Sequence, residues 1–109
     1  MLVKIDTKAV ELQNCGLIKV GDRTAICDLD DIHRIAPYKW FLRTTRYNTY
    51  AFRKKTHNDK TFNVYMHRQI MHCPTNLVVH HKNHNGLDNR KENLQNMSKE
   101  EHYSLHRFQ

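Results

Sequence analysis

Along the first forty positions apolar and polar residues alternate in short runs. LVKID and GLIKVGDRTAICDLDD both step between the two classes around a turn signal at Val20-Gly21-Asp22, which predicts two or three short strands. DDIHRIAPYKW predicts one or two helical turns with Asp30 or Asp31 as N-cap. They end at Ala36-Pro37, because proline disfavours helix in the residue before it. YKWFLR, NTYAFRK and TFNVYMH are rich in β-branched and aromatic residues and are separated by the polar stretches TTRY and KTHNDK. They predict a three-stranded antiparallel meander. MHRQIMH predicts a short helix ending before Pro74, and LVVHHK a short strand seated in the core by Leu77, Val78 and Val79. NHNGLDN reads as a loop and RKENLQNM as a segment holding another strand. Ser98 and Glu101 have the spacing of a capping box at the start of a helix from about 99 to 107.

The class expected is therefore α+β, a short meander followed by a strand, loop, strand, helix unit. At 109 residues, with no repeat, low-complexity stretch or linker, the chain is expected to form one domain. Within it, residues 1–65 are the β-rich basic part and 66–109 the terminal unit.

Lysine and arginine number 18 against 11 acidic residues, a net charge of +7 spread along the chain. Such a surface attracts polyanions, although composition alone fits a basic protein with no polyanion partner equally well. No run approaches the ~20 apolar residues of a membrane helix, and MLVKID lacks the apolar core of a signal peptide, so no membrane association and a cytoplasmic location are expected. Cys15, Cys27 and Cys73 form no CxxC pair, which argues against a disulfide framework and a thiolate zinc site.

Histidine changes the picture. There are nine, and six follow residue 71: His72, His80, His81, His84, His102 and His106. On a helix beginning at Lys99, His102 and His106 project from one face a turn apart and can grip one ion. His80 and His81, neighbours on a strand, point to opposite sides, which suits a metal ligand beside a residue with another task. Imidazole favours zinc, nickel, cobalt and manganese over magnesium or calcium. Three histidines leave a coordination position open, the mark of a catalytic site. The competing readings are solvent-facing helical histidines and a closed structural zinc site, the latter disfavoured by the lack of thiolates after Cys73.

The run Val79-His80-His81-Lys-Asn-His-Asn-Gly86-Leu87-Asp88-Asn89-Arg90-Lys91-Glu92-Asn93-Leu94 resembles the signature of phage and intron-encoded HNH endonucleases. His102, nine residues past Asn93, stands where that family's ββα-metal (His-Me finger) motif places its last ligand. His106 adds the HxxxH ending of bacterial toxin nucleases. The resemblance implies a DNA endonuclease that hydrolyses phosphodiester bonds to leave 5′-phosphate and 3′-hydroxyl ends. It assigns His81 as general base, His80 and His102 as ligands of one divalent ion, His106 as a third ligand, and Asn93 as the residue that fixes the loop and orients His81. A histidine with an ordinary pKa near ~6.5 can take a proton from water at neutral pH if a neighbour fixes its tautomer. Many members carry aspartate where this chain has His80, which tilts the ion toward zinc, nickel, cobalt or manganese while leaving magnesium admissible.

Arg90, beside the site, is a candidate phosphate clamp, with a solvated arginine as the alternative. His84 reads as a solvent-exposed loop residue, His72 as a helix end, and His67 with Arg68 as the pair that seats the terminal unit in phage HNH proteins. In the meander, Arg43, Arg46, Arg53, Lys54 and Lys55 are interleaved with aromatic residues. Together with Arg68 and Lys82 they are the expected phosphate contacts, those of the meander from its outer face; the alternative is an ordinary sheet whose aromatic face packs on the core while its basic face is merely wet. Trp40 and Phe52 are expected in the core. The partner implied is DNA, with the protein a monomer or homodimer in a bacterial or phage-infected cell. Homing, packaging, restriction and host-DNA degradation all fit that picture. The rival reading is a catalytically inactive DNA-binding module on the same fold.

Overall fold

The computed structural model describes residues 15–107, with side chains described as far as Leu105, so the predicted LVKID strand lies outside the described residues. The chain runs β1 (Cys15–Val20), β2 (Arg23–Asp28), a 3-10 turn (Leu29–Asp31), α1 (Ile32–Ile35), β3 (Phe41–Thr44), β4 (Thr49–His57), β5 (Lys60–Tyr65) and α2 (Met66–Met71). It continues through β6 (Leu77–His81), β7 (Asp88–Asn89), a 3-10 turn (Lys91–Asn93), β8 (Leu94–Ser98) and α3 (Lys99–Arg107). This is a mixed α+β chain with three small sheets, ordered β1-β2-β7, β3-β4-β5 and β6-β8. No helix among the described residues is long and apolar enough to cross a membrane.

The alternation in β1 buries Ile18 and Val20, and Gly21 turns the hairpin with a φ of +61° that a β-carbon would oppose. Asp31 does not cap α1 with its side chain; its carboxylate is held instead by Arg34 at 2.7 Å and Lys91 at 3.2 Å. The β4–β5 connection is a two-residue turn in which Asn58 and Asp59 both take positive φ, as a primed hairpin turn requires. Strand β4 therefore runs to His57, beyond the expected NTYAFRK. The segment expected to be all loop contains β7, which pairs in parallel with Ile26 and Cys27 of β2 and ties the loop after β6 to the first hairpin.

The hydrophobic core gathers Val20, Ala25 and Ile35 with Trp40, Ala51, Met66, Ile70, Val79 and Leu87. Trp40 is buried as expected, its indole N–H donating to the Ile35 carbonyl at 2.7 Å. Phe52 is only half-buried and pairs with Phe41 and Tyr65. The expected division of the meander into an aromatic inner face and a basic outer face is not what forms. Directly opposed residues of an antiparallel ladder share a face. The register Phe41↔Phe52, Arg43↔Tyr50, Phe52↔Tyr65 and Lys54↔Asn63 thus puts aromatic and basic side chains together on one face. The other face turns Leu42 and Ala51 to the core and continues outward through Arg53 and Lys55.

Candidate functional site

Strand β6 delivers His80 and His81, β8 pairs with it in antiparallel register from Leu77↔Ser98 to His81↔Leu94, and α3 follows directly. The capping box forms as the spacing predicts. The Glu101 N–H donates to Ser98 Oγ at 3.1 Å and the Ser98 N–H to Glu101 Oε1 at 3.3 Å, so α3 starts at a fixed point and carries His102 in its second turn.

A cleft of about 150 Å³ opens between this unit and the meander. Its lining includes two groups of rings in contact, His80 with His84 and His102, and His81 with His67, Tyr50 and Tyr65. The His80 ring stands 5.5 Å from the His102 ring and 5.8 Å from that of His84, centre to centre. Among the described residues no three histidine, cysteine, aspartate or glutamate side chains converge around one point as they would about an ion. Cys27 and Cys73 are free thiols, and none of the three cysteines lines the cleft. The His106 side chain lies outside the described residues.

His81 is 5% exposed. Its ring packs edge-on against His67 at 4.9 Å and beside Tyr50 at 5.7 Å. Its Nε2 lies 2.9 Å from Oδ1 of the fully buried Asn89. An amide oxygen only accepts, so in this contact Nε2 carries the proton and Nδ1 is the ring's basic nitrogen. Burial pushes the His81 pKa below its ordinary value, with His80 adding to the effect; the Asn89 bond and the Asp88 charge pull the other way without reversing it. The ring is thus neutral at neutral pH. His67 is pushed further, to about 3, by burial and then by the neighbouring His81 and Arg68, and its Nδ1 has no hydrogen-bond partner among the described residues.

The expectation that Asn93 orients the His81 ring is corrected by these contacts, because the ring's bond goes to Asn89. Asn93 is bonded within the loop. Its amide donates to Asn83 Oδ1 and to the Asp88 carbonyl, both at 2.9 Å; its Oδ1 accepts from the Asn83 N–H at 3.0 Å, and its carbonyl from the Lys82 N–H at 2.8 Å. Asn89 escaped the sequence reading because β7 is set by distant pairing; its only signal was a second asparagine within the same motif. The loop is also pinned from the meander. Asn48 Nδ2 donates to the His84 carbonyl at 3.0 Å, and Asn48 Oδ1 accepts from the Gly86 N–H at 3.0 Å. A β-carbon on Gly86 would collide with the Thr49 carbonyl, so this close approach needs glycine.

Three predicted nucleic-acid contacts have internal partners. Arg90 is held by Asp88, with Nε at 2.8 Å and a second nitrogen at 2.6 Å, and it reaches Glu92 at 3.1 Å; the Asp88 bond holds the guanidinium firmly charged and the geometry fixes where it points. Burial would raise the Asp88 pKa, but the bonds from Arg90 and Asn83 hold it below the usual carboxylate value. Arg68 donates to the carbonyls of Leu77 and Pro74 at 2.9 and 2.8 Å and so joins α2 to the start of β6. Arg53 donates to Gln69 Oε1 at 2.8 Å and lies over the Tyr38 ring at 3.9 Å. Arg43, Arg46, Lys54, Lys55 and Lys82 are exposed, Arg46 over the Tyr47 ring at the cleft end of the β3–β4 turn.

No curated protein and no solved structure gives a significant match. Residues 65–103, from the last residue of β5 into α3 and including both groups of histidines, match the family model of HNH endonucleases.

Proposed function

We propose that the chain is a metal-dependent DNA endonuclease in which residues 66–109 act as a ββα-metal unit and His81 is the general base. The observation that carries this is the placement of His81: a buried imidazole on the lining of the cleft, held through Nε2 by Asn89 at 2.9 Å, which leaves Nδ1 as its basic nitrogen, with His80 and His102 on the same lining. In the reaction, Nδ1 of His81 takes a proton from a water as its oxygen attacks the phosphorus, and the bond to the 3′ oxygen breaks. Products carry 5′-phosphate and 3′-hydroxyl ends. Asn89 keeps the ring in the tautomer this needs, and Asn93 with Asn83 keeps the strand end and loop at fixed spacing.

Two imidazoles bound to one ion through nitrogens at ~2.0–2.1 Å have ring centres about 5 Å apart, close to the His80–His102 spacing, so the residues present fit a shared ion. His80 and His102 would hold it, with His106 as a third ligand from the next turn of α3. Nitrogen donors favour zinc, nickel, cobalt or manganese, with magnesium admissible. When bound, such an ion supplies positive charge that offsets the charge developing on the phosphate and the leaving oxygen. Arg90, bonded on both sides to carboxylates, orders the loop in this reading and does not clamp phosphate.

The second reading is a DNA-binding module on the same fold without catalysis. Incubating the protein with supercoiled plasmid and each divalent ion, beside EDTA, separates the two. Nicked circles are expected with metal and none in EDTA, and His81→Ala should cut at least ~10²-fold more slowly. Plasmid that stays supercoiled in every tube rules out the nuclease. If His81→Ala cuts as fast as the parent, another residue is the base.

A further inference from the structure

The meander turns one of its two faces toward the histidine cleft. Tyr50 and Tyr65 line that cleft, and the ladder register places Arg43 opposite Tyr50, Phe52 opposite Tyr65, Phe41 opposite Phe52, and Lys54 opposite Asn63. The cleft wall therefore continues without a break into a surface of half-buried rings and exposed cations. The rings help to set where the cations stand: both Lys39 Nζ and Lys54 Nζ lie 5.6 Å from the Phe41 ring centre. At the cleft end, the β3–β4 turn adds Arg46, and Asn48 fixes that turn to the loop that follows His81. Lys55 and Lys60 lie on the opposite face, in the ladder positions Lys55↔Phe62 and His57↔Lys60.

We propose that this one face, running from Arg46 through Arg43 to Lys54, is the track on which duplex DNA lies when a phosphate enters the cleft, and that the other face of the sheet takes no part. The inference rests on the nuclease reading for its substrate class and deepens it by choosing between two equally basic faces. The charge favours a polyanion, and the half-exposed rings offer apolar surface to sugars between the phosphates that the cations meet. An acidic protein would match the charge equally well but would have no reason to follow a surface that leads into a histidine cleft.

Two charge-matched double variants test it, Arg43→Ala with Lys54→Ala on the cleft face and Lys55→Ala with Lys60→Ala on the other. Binding of a labelled duplex is read by anisotropy in EDTA, so that no cleavage is needed, with circular dichroism to check folding. The cleft-face pair is expected to weaken binding roughly ten-fold or more and to flatten the log-affinity against log-salt line by about two phosphate contacts. The far-face pair should stay within about two-fold of the parent. Equal losses from both pairs, or a larger loss from the far face, would overturn the track. The plasmid assay of the parent protein fails or succeeds independently, so a misplaced track and a mistaken nuclease reading give different results.

Discussion

His67 and His81 differ in how completely the structure denies them a proton. His67 is enclosed by Tyr50, Tyr65 and His81, with ring centres 5.4, 5.4 and 4.9 Å away, and burial together with the neighbouring His81 and Arg68 opposes a charge there. Its pKa of about 3 in the folded chain lies below the ordinary 6.5. Above pH 6.5 both folded and unfolded states leave this ring neutral, and its contribution to stability is whole. As pH falls below 6.5 the unfolded chain takes up a proton that the folded chain refuses until about 3, and stability drops by about 1.4 kcal/mol per pH unit across that window. Urea unfolding at pH 7 and pH 5 should therefore differ by about 2 kcal/mol on account of His67 alone, with His81 adding in the same direction. Asp31 and Asp88, whose pKa values are lowered below 3.8, add their loss only at more acid pH. His67→Phe should lose most of the difference between pH 7 and pH 5. A variant as sensitive to that change as the parent would place the titration elsewhere.

Helix α3 is the element on which the group of His80, His84 and His102 depends, and its start was legible because a capping box is local: Ser98 and Glu101 need only each other and the backbone between them. Ser98→Ala should cost about 1 kcal/mol in thermal or urea unfolding. Because it frees the turn preceding His102, it should also weaken binding of zinc or cobalt measured by calorimetry, while Glu100→Gln, outside the box, should change neither. The β6 strand and the meander were legible for similar reasons, from apolar runs bounded by turn residues. Strand β7 was not, because Asp88 and Asn89 are polar and extended only through their ladder with Ile26 and Cys27, some sixty positions earlier in the chain. That ladder buries Asn89 and brings it to His81, so the residue that fixes the ring was hidden by the same long-range pairing. The partners of Arg53, Arg68 and Arg90 were hidden too. Side-chain type announces a cation, but only the packed structure shows that Gln69, two backbone carbonyls and Asp88 already hold these three. The sheet faces were obscured because Tyr50, Ala51 and Phe52 are apolar in succession, which gives no period-two signal of what is core and what is wet.

At the scale of the whole molecule, a net charge of +7 says that DNA would be attracted but not where it would lie. The internal bonds of Arg53, Arg68 and Arg90 narrow the choice by removing three cations from the pool that a phosphate can reach. Among the predicted contacts, those left exposed on the cleft side of the sheet or beside the cleft are Arg43, Arg46, Lys54 and Lys82. If each meets one phosphate, about four counterions leave the duplex on binding, and log affinity should fall with log salt at a slope of about −3.6. Between 50 and 200 mM salt that amounts to roughly a hundred-fold loss, measurable by duplex anisotropy in EDTA. A slope near −1 would mean that charge spread over the surface attracts DNA without a defined track. A slope beyond about −6 would mean that cations on the far face of the sheet share the load, and the duplex would then have to wrap the meander instead of lying along the side that leads to His81.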